Sequence, residues 1–262
     1  MGVVVLGYRI RPLLFFALAA KIVAVLLWCC TTQHAAAAIV FFGPDPFVLY
    51  ALFVPSAQGV CRSYTNFVTA RPAVWLTIDD GPDRQDTPRI LDLLDRHQAR
   101  ATFFVIGERA ARNPDLLREI VGRGHTIGHH THTHPAGTFW CASPRRLAAE
   151  LDATITTFGK NDIQTCWFRA PVGIKHLLLE NALTARSLRC VGWSARSGDC
   201  HTNAPERIVA ALKDKLKPGA ILLLHEGPSV QDPVRVHGIA LLLDELAARG
   251  LKCEIPTEAQ LR

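Results

Sequence analysis

Apolar residues are concentrated at the start of this chain of 262 residues. The charged residues before about residue 57 are Arg9, Arg11, Lys21 and Asp45. Residues 12–30 form an apolar run as long as one bilayer span. A second run, 35–55, is interrupted by Gly43-Pro44-Asp45-Pro46, which should kink or break a helix. The pattern predicts a hydrophobic membrane region over 1–57. Its first transmembrane segment is 12–30, and 35–55 is a kinked second span, a re-entrant segment or an apolar collar.

The number of spans decides where the rest of the chain lies. Arg9 and Arg11 precede the first run, and the positive-inside tendency places the N-terminus in the cytoplasm. One span puts the rest of the chain outside the cytoplasm, which is the side we favour, and two spans return it to the cytoplasmic face. A signal peptide cleaved near 35–38 is the alternative to an anchor. Because the apolar stretch is long and another follows it, we expect an uncleaved anchor in the inner or plasma membrane.

After a linker at 58–71, runs rich in β-forming residues alternate with amphipathic helical runs from about residue 72 onward. Strands are predicted at 74–79, 101–106, 125–128, 166–169, 189–193, 220–224 and 251–254. Helices are predicted at 86–97, 114–122, 143–158, 175–187, 205–216 and 234–249. A polar cap followed by proline marks two of the helix starts, at Asp86-Thr87-Pro88 and Ser143-Pro144. Seven strands alternating with helices predict a parallel α/β architecture, either a barrel or an open sheet.

Side chains with catalytic or ligating potential follow these predicted strands. They are Asp79 and Asp80 after the first strand, His129 to His134 after the third, Arg169 at the end of the fourth, Asp199 after the fifth and His225 after the sixth. The carboxyl ends of parallel strands meet at one face of an α/β fold. We therefore expect a single site built from these residues.

The histidines indicate a metal site. His130 and His134 fit one cation if a helical turn brings the two rings together, and Asp80 would complete a set of two histidines and one carboxylate. Spacing alone does not choose between this histidine pair and His125 with His129. Zn²⁺ suits such ligands best, and Co²⁺, Ni²⁺ or Fe²⁺ would also fit.

Five ordered motifs resemble those of the polysaccharide deacetylase family, also called NodB-homology domains or carbohydrate esterase family 4. The motifs are LTIDDGP (76–82), HHTHTHP (129–135), RAPVG (169–173), WSARSGD (193–199) and LLLH (222–225). The resemblance covers 72–262 and implies a distorted (β/α) barrel of about seven parallel strands. It also implies a metal-dependent hydrolase that removes an N-acetyl or similar small acyl group from an amino sugar of a polysaccharide or lipid-linked glycan.

The resemblance also implies a role for each site residue. Asp80, His130 and His134 would bind the divalent metal. Asp79 would be the general base that deprotonates the attacking water, and His225 the general acid that protonates the leaving amine. Arg169 would orient Asp79, and Asp199 would position the residues that contact the substrate without contacting it. A backbone N–H near Val172 would stabilise the oxyanion together with the metal.

Three positions depart from the family pattern. His129 stands where the family has asparagine and could compete as a ligand, Val172 replaces a common tyrosine, and Cys200 replaces a frequent tryptophan. Because losing a pocket aromatic weakens sugar stacking, the usual chitin-like or peptidoglycan-like substrate is an open question. A sugar- or metal-binding protein of the same fold without turnover is the alternative function. The presence of both Asp79 and His225, which a pure binder does not need, favours an enzyme.

Net charge and cysteine content say less about the function than the motifs do. The net charge of +6 comes without a Lys/Arg-rich run, so we expect a glycan and a membrane as partners and no nucleic acid. Six cysteines lie beyond the apolar region: Cys61, Cys141, Cys166, Cys190, Cys200 and Cys253. They allow fifteen pairings, and disulfides and free thiols are equally open alternatives.

Overall fold

The structure is a computed structural model that describes residues 3–5, 8–232 and 234–262. Its α-helices are α1 (Pro12–Cys30), α2 (His34–Phe42), α3 (Asp45–Phe53), α4 (Asp86–Arg96), α5 (Gly107–Arg112), α6 (Pro114–Gly122), α7 (Pro144–Gly159), α8 (Leu179–Thr184), α9 (Glu206–Leu212) and α10 (Val234–Ala248). Its strands are β1 (Val3–Val5), β2 (Tyr8–Ile10), β3 (Ser63–Tyr64), β4 (Ala73–Gly81), β5 (Ala101–Val105), β6 (Thr126–His129), β7 (Trp167–Phe168), β8 (Arg189–Val191), β9 (Ala195–Arg196), β10 (Ile221–His225) and β11 (Lys252–Cys253).

Nine of the described strands form one parallel sheet, in the order β3-β8-β7-β6-β5-β4-β10-β9, with β11 beside the start of β4. The chain passes from β8 directly into β9, although these strands lie near opposite ends of that order. The sheet therefore curls round on itself. The predicted fold class, a distorted (β/α) barrel of parallel strands, is confirmed, and the sheet contains two more short strands than the seven predicted.

Alternating side chains of β4 separate the barrel interior from the helical layer. Val74, Leu76 and Ile78 pack in the large cluster formed with the surrounding helices. Trp75 belongs to a different cluster, with aromatic residues of other strands, inside the curl of the sheet. Asp79, two positions further along the same face as Thr77, therefore lies at the carboxyl end of the interior.

Several elements differ from the sequence-based prediction, among them β3 and α8. Part of the predicted linker, Ser63–Tyr64, is strand β3 and pairs with β8. The helix predicted at 175–187 begins only at Leu179, and before it the Lys175 N–H donates to the Leu52 carbonyl at 2.9 Å. By contrast, Ser143 caps α7 as predicted, with its hydroxyl accepting from the Arg146 N–H at 3.2 Å.

The apolar N-terminal region is a helical hairpin. Lys21 on α1 lies 2.8 Å from Asp45 at the start of α3, and the Trp28 and His34 rings lie 4.5 Å apart at the tip, so α1 runs antiparallel to α2 and α3. The chain continues in helical backbone through Gly43 and Pro44, as in a kinked helix. Residues 12–30 and 34–53 are each long and apolar enough to cross a membrane.

The base of this hairpin is buried against the barrel. Ala51 and Leu52 pack with residues of α7, α8 and β7. The buried Lys175 ammonium donates to the carbonyls of Val54 at 2.7 Å and Ala51 at 3.4 Å, which lie at the end of α3. The hairpin is therefore attached through hydrogen bonds and core packing, and not by the chain alone.

Candidate active site

Asp79 and Asp80 share one site because the strand that carries them is irregular. In a regular strand, adjacent side chains point to opposite faces. Here the pairing of β4 with β5 shifts between Asp79 and Gly81, so Asp80 is the extra residue of a β-bulge, with φ of 71°. The bulge lets both carboxylates reach the carboxyl end of the barrel.

Asp80, His130 and His134 form a compact donor set. Asp80 Oδ1 lies 3.5 Å from the Nε2 atoms of both histidines, and the two rings are 4.8 Å apart. Asp80 Oδ1 is buried and has no hydrogen-bond partner, which is costly for a carboxylate unless something else binds it. One carboxylate oxygen and two imidazole nitrogens, with atoms within 4.8 Å of one another, suit a divalent cation such as Zn²⁺.

Protonation states in the set also suit a cation. His130 Nδ1 lies 2.9 Å from the Arg169 carbonyl, which requires a proton on Nδ1 and leaves the Nε2 lone pair facing Asp80. Burial, assisted by His130, lowers the pKa of His134 to about 4, so this ring is neutral at pH 7. Burial raises the pKa of Asp80, but hydrogen bonding and positive charge from the neighbouring histidines, when these are protonated, outweigh it and hold this pKa below its ordinary value.

The two histidines are brought together by a loop, not by the helical turn that the spacing suggested. Thr131 and His134 both have left-handed backbone conformations, with φ of 61° and 53°. The Glu150 carboxylate on α7 accepts hydrogen bonds from the N–H groups of His132 and Thr133, each at 2.9 Å, and from the Thr133 hydroxyl at 2.6 Å. Glu150 was not singled out from the sequence, since nothing in its surrounding residues distinguishes it from an ordinary helix-surface glutamate.

The alternative histidines have other partners. His129 is buried with Nε2 3.0 Å from the Leu151 carbonyl, while its Nδ1 accepts from the Thr131 N–H at 3.0 Å. Both ring nitrogens are therefore engaged, and His129 does not compete for a metal. His125 lies before β6, at the opposite end of that strand, where its Nδ1 accepts from the Ala101 N–H at 3.3 Å.

Arg169 is a fully buried cation that connects several strands. Its Nη1 donates to Asp79 Oδ1 and Thr77 Oγ1, both at 2.7 Å, and its Nη2 donates to the Gly192 carbonyl at 2.9 Å. The other oxygen of Asp79, Oδ2, lies 3.7 Å from His130 Nε2. Arg169 thus fixes one carboxylate oxygen and leaves the other facing the donor set.

His225 ends β10 opposite Asp79 in the strand register. Asp199 contacts His225 through both carboxylate oxygens. Its Oδ2 accepts from the His225 backbone N–H at 2.7 Å, and its Oδ1 lies 2.8 Å from the ring atom Nδ1. Burial lowers the pKa of His225, but the hydrogen bond and charge of Asp199 outweigh it and place this pKa well above its ordinary value. The ring is therefore held protonated beside the site.

The two remaining departures from the family pattern are Val172 and Cys200. Val172 has a left-handed backbone conformation, with φ of 48°, and its side chain is 53% exposed. The Cys200 thiol lies 3.8 Å from Asp199 Oδ1, behind His225. Asp199, Cys200 and His225 form the second group among the described residues whose donor atoms cluster closely.

Glu226 is a second residue that sequence reasoning missed. It follows His225 and is fully buried against Gly81, where a Cβ atom would lie only 1.8 Å from its Oε1, so a side chain at position 81 would force this carboxyl group to move. Its Oε2 accepts from the Thr87 hydroxyl at 2.5 Å. Burial, with the nearby Asp83 and Asp86 charges, raises the pKa of Glu226 to about 8. Glu226 therefore packs against the turn after Asp80 in surroundings that favour its neutral form.

Known proteins with similar sequences belong to the polysaccharide deacetylase family. The sequence model of the polysaccharide deacetylase family matches residues 68–191. A chitooligosaccharide deacetylase of Bradyrhizobium sp. (strain ANU 289) is 36% identical over 181 residues, covering 67% of this chain and 79% of that protein. A peptidoglycan-N-acetylglucosamine deacetylase of Bacillus cereus is 33% identical over 179 residues, covering 68% of this chain and 83% of that one.

A solved structure supports the relationship. The family 4 carbohydrate esterase from Streptomyces lividans, in complex with acetate, superposes with a TM-score of 0.66 at 27% identity, covering 74% of this chain and 98% of the other. Together with the sequence matches, this shows that the chain belongs to the polysaccharide deacetylase family, carbohydrate esterase family 4.

Proposed function

We propose that this protein is a metal-dependent hydrolase that removes an N-acetyl, or similar small acyl, group from an amino sugar of a polymeric or lipid-linked glycan. The observation that carries the proposal is that Asp80 Oδ1 is buried, lacks a hydrogen-bond partner and faces two histidine nitrogens. Asp79 and His225 lie at the ends of the paired strands β4 and β10. The named substrates of the rhizobial and Bacillus relatives, a chitooligosaccharide and peptidoglycan N-acetylglucosamine, support an acylated amino sugar.

Asp80, His130 and His134 would hold the divalent metal. When bound, such a cation polarises the acyl carbonyl and lowers the pKa of the attacking water. Asp79 would accept the proton of that water at Oδ2, because Oδ1 is held by Arg169. The neutral state of His134 and the fixed tautomer of His130 support their assignment as ligands.

His225 would donate the second proton. An amide nitrogen leaves only when protonated, and a histidine held in its cationic form by Asp199 is suited to that task. In this assignment Asp199 orients the ring through Nδ1 and leaves Nε2 to face the substrate. The N–H of Val172, on the loop after Arg169, would donate to the oxyanion.

We also propose that the α1 and α2–α3 hairpin anchors the enzyme in a membrane. The two charges within residues 12–57, on Lys21 and Asp45, pair with each other, which reduces the cost of placing them in an apolar layer. The buried hairpin base supports a retained anchor in preference to a cleaved signal peptide.

Mass spectrometry of acylated amino-sugar oligomers, incubated with purified full-length protein, tests the activity. We expect the mass to fall by one acyl group, with activity lost after chelation and restored by Zn²⁺. Metal binding without any change in substrate mass would instead identify a binding protein that keeps the fold.

A further inference from the structure

Exposed apolar side chains continue from the hairpin onto the catalytic body. Val172 is 53% exposed, and Leu177 and Leu178 are each 41% exposed, on the segment between β7 and α8. Phe53, 40% exposed at the end of α3, and the half-buried Trp140 complete the group. We call these five residues the apolar rim.

Direct contacts join the rim to the base of the hairpin. The Phe53 and Trp140 rings lie 5.3 Å apart. Pro55 packs so closely on Gly173 that a Cβ atom there would lie 2.7 Å from its ring. The loops on either side are also joined, since His176 Nε2 lies 2.9 Å from the Ala142 carbonyl. These contacts place the loops that carry the rim next to the base of the hairpin.

The same loops carry the candidate active site. Val172 lies three residues after Arg169, whose side chain holds Asp79 and whose carbonyl holds His130. Trp140 lies in the segment that follows His134. The loops that follow Arg169 and His134 therefore carry both site residues and rim residues.

If the hairpin enters a membrane, the membrane surface would contact the rest of the protein at the rim. The outward faces of the hairpin are apolar, and the Lys21–Asp45 pair is satisfied between its helices. The rim lies at the hairpin base, where the hydrocarbon layer of such a membrane would give way to headgroups. Because contiguous exposed apolar surface marks an interaction site in a soluble body, a lipid surface is the partner that fits it.

We infer that the substrate is an acylated amino sugar carried on a lipid of the membrane that the hairpin enters, with the proximal part of the lipid lying against the rim. The inference rests on the proposed deacylation and names its substrate class. One water is consumed, the amide C–N bond breaks, a carboxylic acid is released, and the free amine stays on the lipid-linked sugar. Confining enzyme and substrate to one bilayer raises their effective concentration without any further contact.

Full-length protein in phospholipid vesicles tests the inference. The vesicles contain N-acetylglucosaminyl phosphoryl polyprenol, water-soluble chitotetraose is supplied in a parallel reaction, and deacetylation of each is followed by mass spectrometry. We expect the lipid-linked sugar to be deacetylated at least about tenfold faster, because a single well-placed apolar contact supplies that factor.

Rim variants show whether the preference arises at this surface. Leu177→Glu and Leu178→Glu should each lower turnover of the lipid-linked sugar by about tenfold and leave chitotetraose turnover unchanged. Val121→Glu, at a similarly exposed valine on α6 outside the rim, is the matched control and should change neither rate. Circular dichroism and metal content check that each variant is folded.

Equal turnover of the two substrates by the wild-type protein would overturn the inference while the proposed deacetylase activity stood. So would rim variants that lower both rates alike, since that pattern indicates a structural effect. Deacetylation of neither substrate would overturn the proposed function, and this inference with it.

Discussion

Asp79 and Asp80 are neighbours whose carboxylates have different partners. Arg169 binds Asp79, whereas Asp80 faces two histidine nitrogens. Asp79→Asn should therefore retain metal but lose turnover by about 10² to 10⁴-fold, the usual effect of removing a general base. Asp80→Asn should lose metal and activity together. Elemental analysis beside a deacetylation assay checks both variants, and loss of metal from Asp79→Asn alone would exchange the two roles.

The histidines give a second test of the ligand set. We expect His130→Ala and His134→Ala each to abolish stoichiometric metal binding, because each removes one of three protein donors. His132→Ala is the matched control, since this residue lies in the same loop outside the donor set. Titration with Zn²⁺ measures the effect, and full occupancy in His134→Ala would contradict the assignment.

Asp199 governs the protonation of His225, which predicts a pH effect. The pKa of His225 lies above its ordinary value because of Asp199, while burial acts in the opposite direction. Asp199→Asn should therefore lower this pKa. Since the acid works only when protonated, the decline of kcat at high pH should begin at a lower pH in the variant. An unchanged alkaline limb would show that His225 is not the proton donor.

At the scale of elements, α7 shapes the histidine loop through Glu150. Glu150→Ala leaves two N–H groups of the loop without their acceptor, at a cost of about 1–3 kcal/mol in the free energy of unfolding. Metal affinity should fall by about 10 to 100-fold, as for other groups that hold ligands in place.

The control for this variant is Glu245→Ala on α10. Its carboxylate forms a partly exposed pair with Arg249, 2.6 Å away, so its loss should cost no more than about 0.5 kcal/mol. Urea unfolding and Zn²⁺ titration compare the two variants. Equal effects would mean that Glu150 acts only as an ordinary helix residue.

Features that depend on hydrophobic periodicity and on which residues follow each strand could be predicted from the sequence. The parallel barrel and the position of His225 at the end of β10 follow from those patterns. The bulge at Asp80 and the left-handed turns of the histidine loop do not, because they depend on contacts with β5 and α7 that are distant in sequence. Strand β3 was missed because two residues are too short for a periodic pattern.

At the scale of the whole molecule, the geometry of the hairpin limits how many times the chain can cross a membrane. The Arg11 guanidinium donates to the Gln58 carbonyl at 2.5 Å, so the chain enters and leaves the hairpin at the same place on the body. If the hairpin crosses the membrane, the N-terminus and the catalytic body lie on one side and the tip at 31–33 on the other. By the positive-inside tendency, Arg9 and Arg11 would then place the body in the cytoplasm, which is the two-span alternative and not the extracytoplasmic side that we favoured from the sequence.

Epitope tags at the tip and at the C-terminus test this topology. In spheroplasts treated with protease, we expect a tag inserted between Thr31 and Gln33 to be digested and a C-terminal tag to be protected. The full-length protein should stay with membranes in high salt, because apolar insertion is not screened by ions whereas electrostatic attachment is. A digested C-terminal tag would support a single span and an extracytoplasmic body. Release by salt alone, or a mature protein lacking the residues before about 38, would exclude the anchored hairpin.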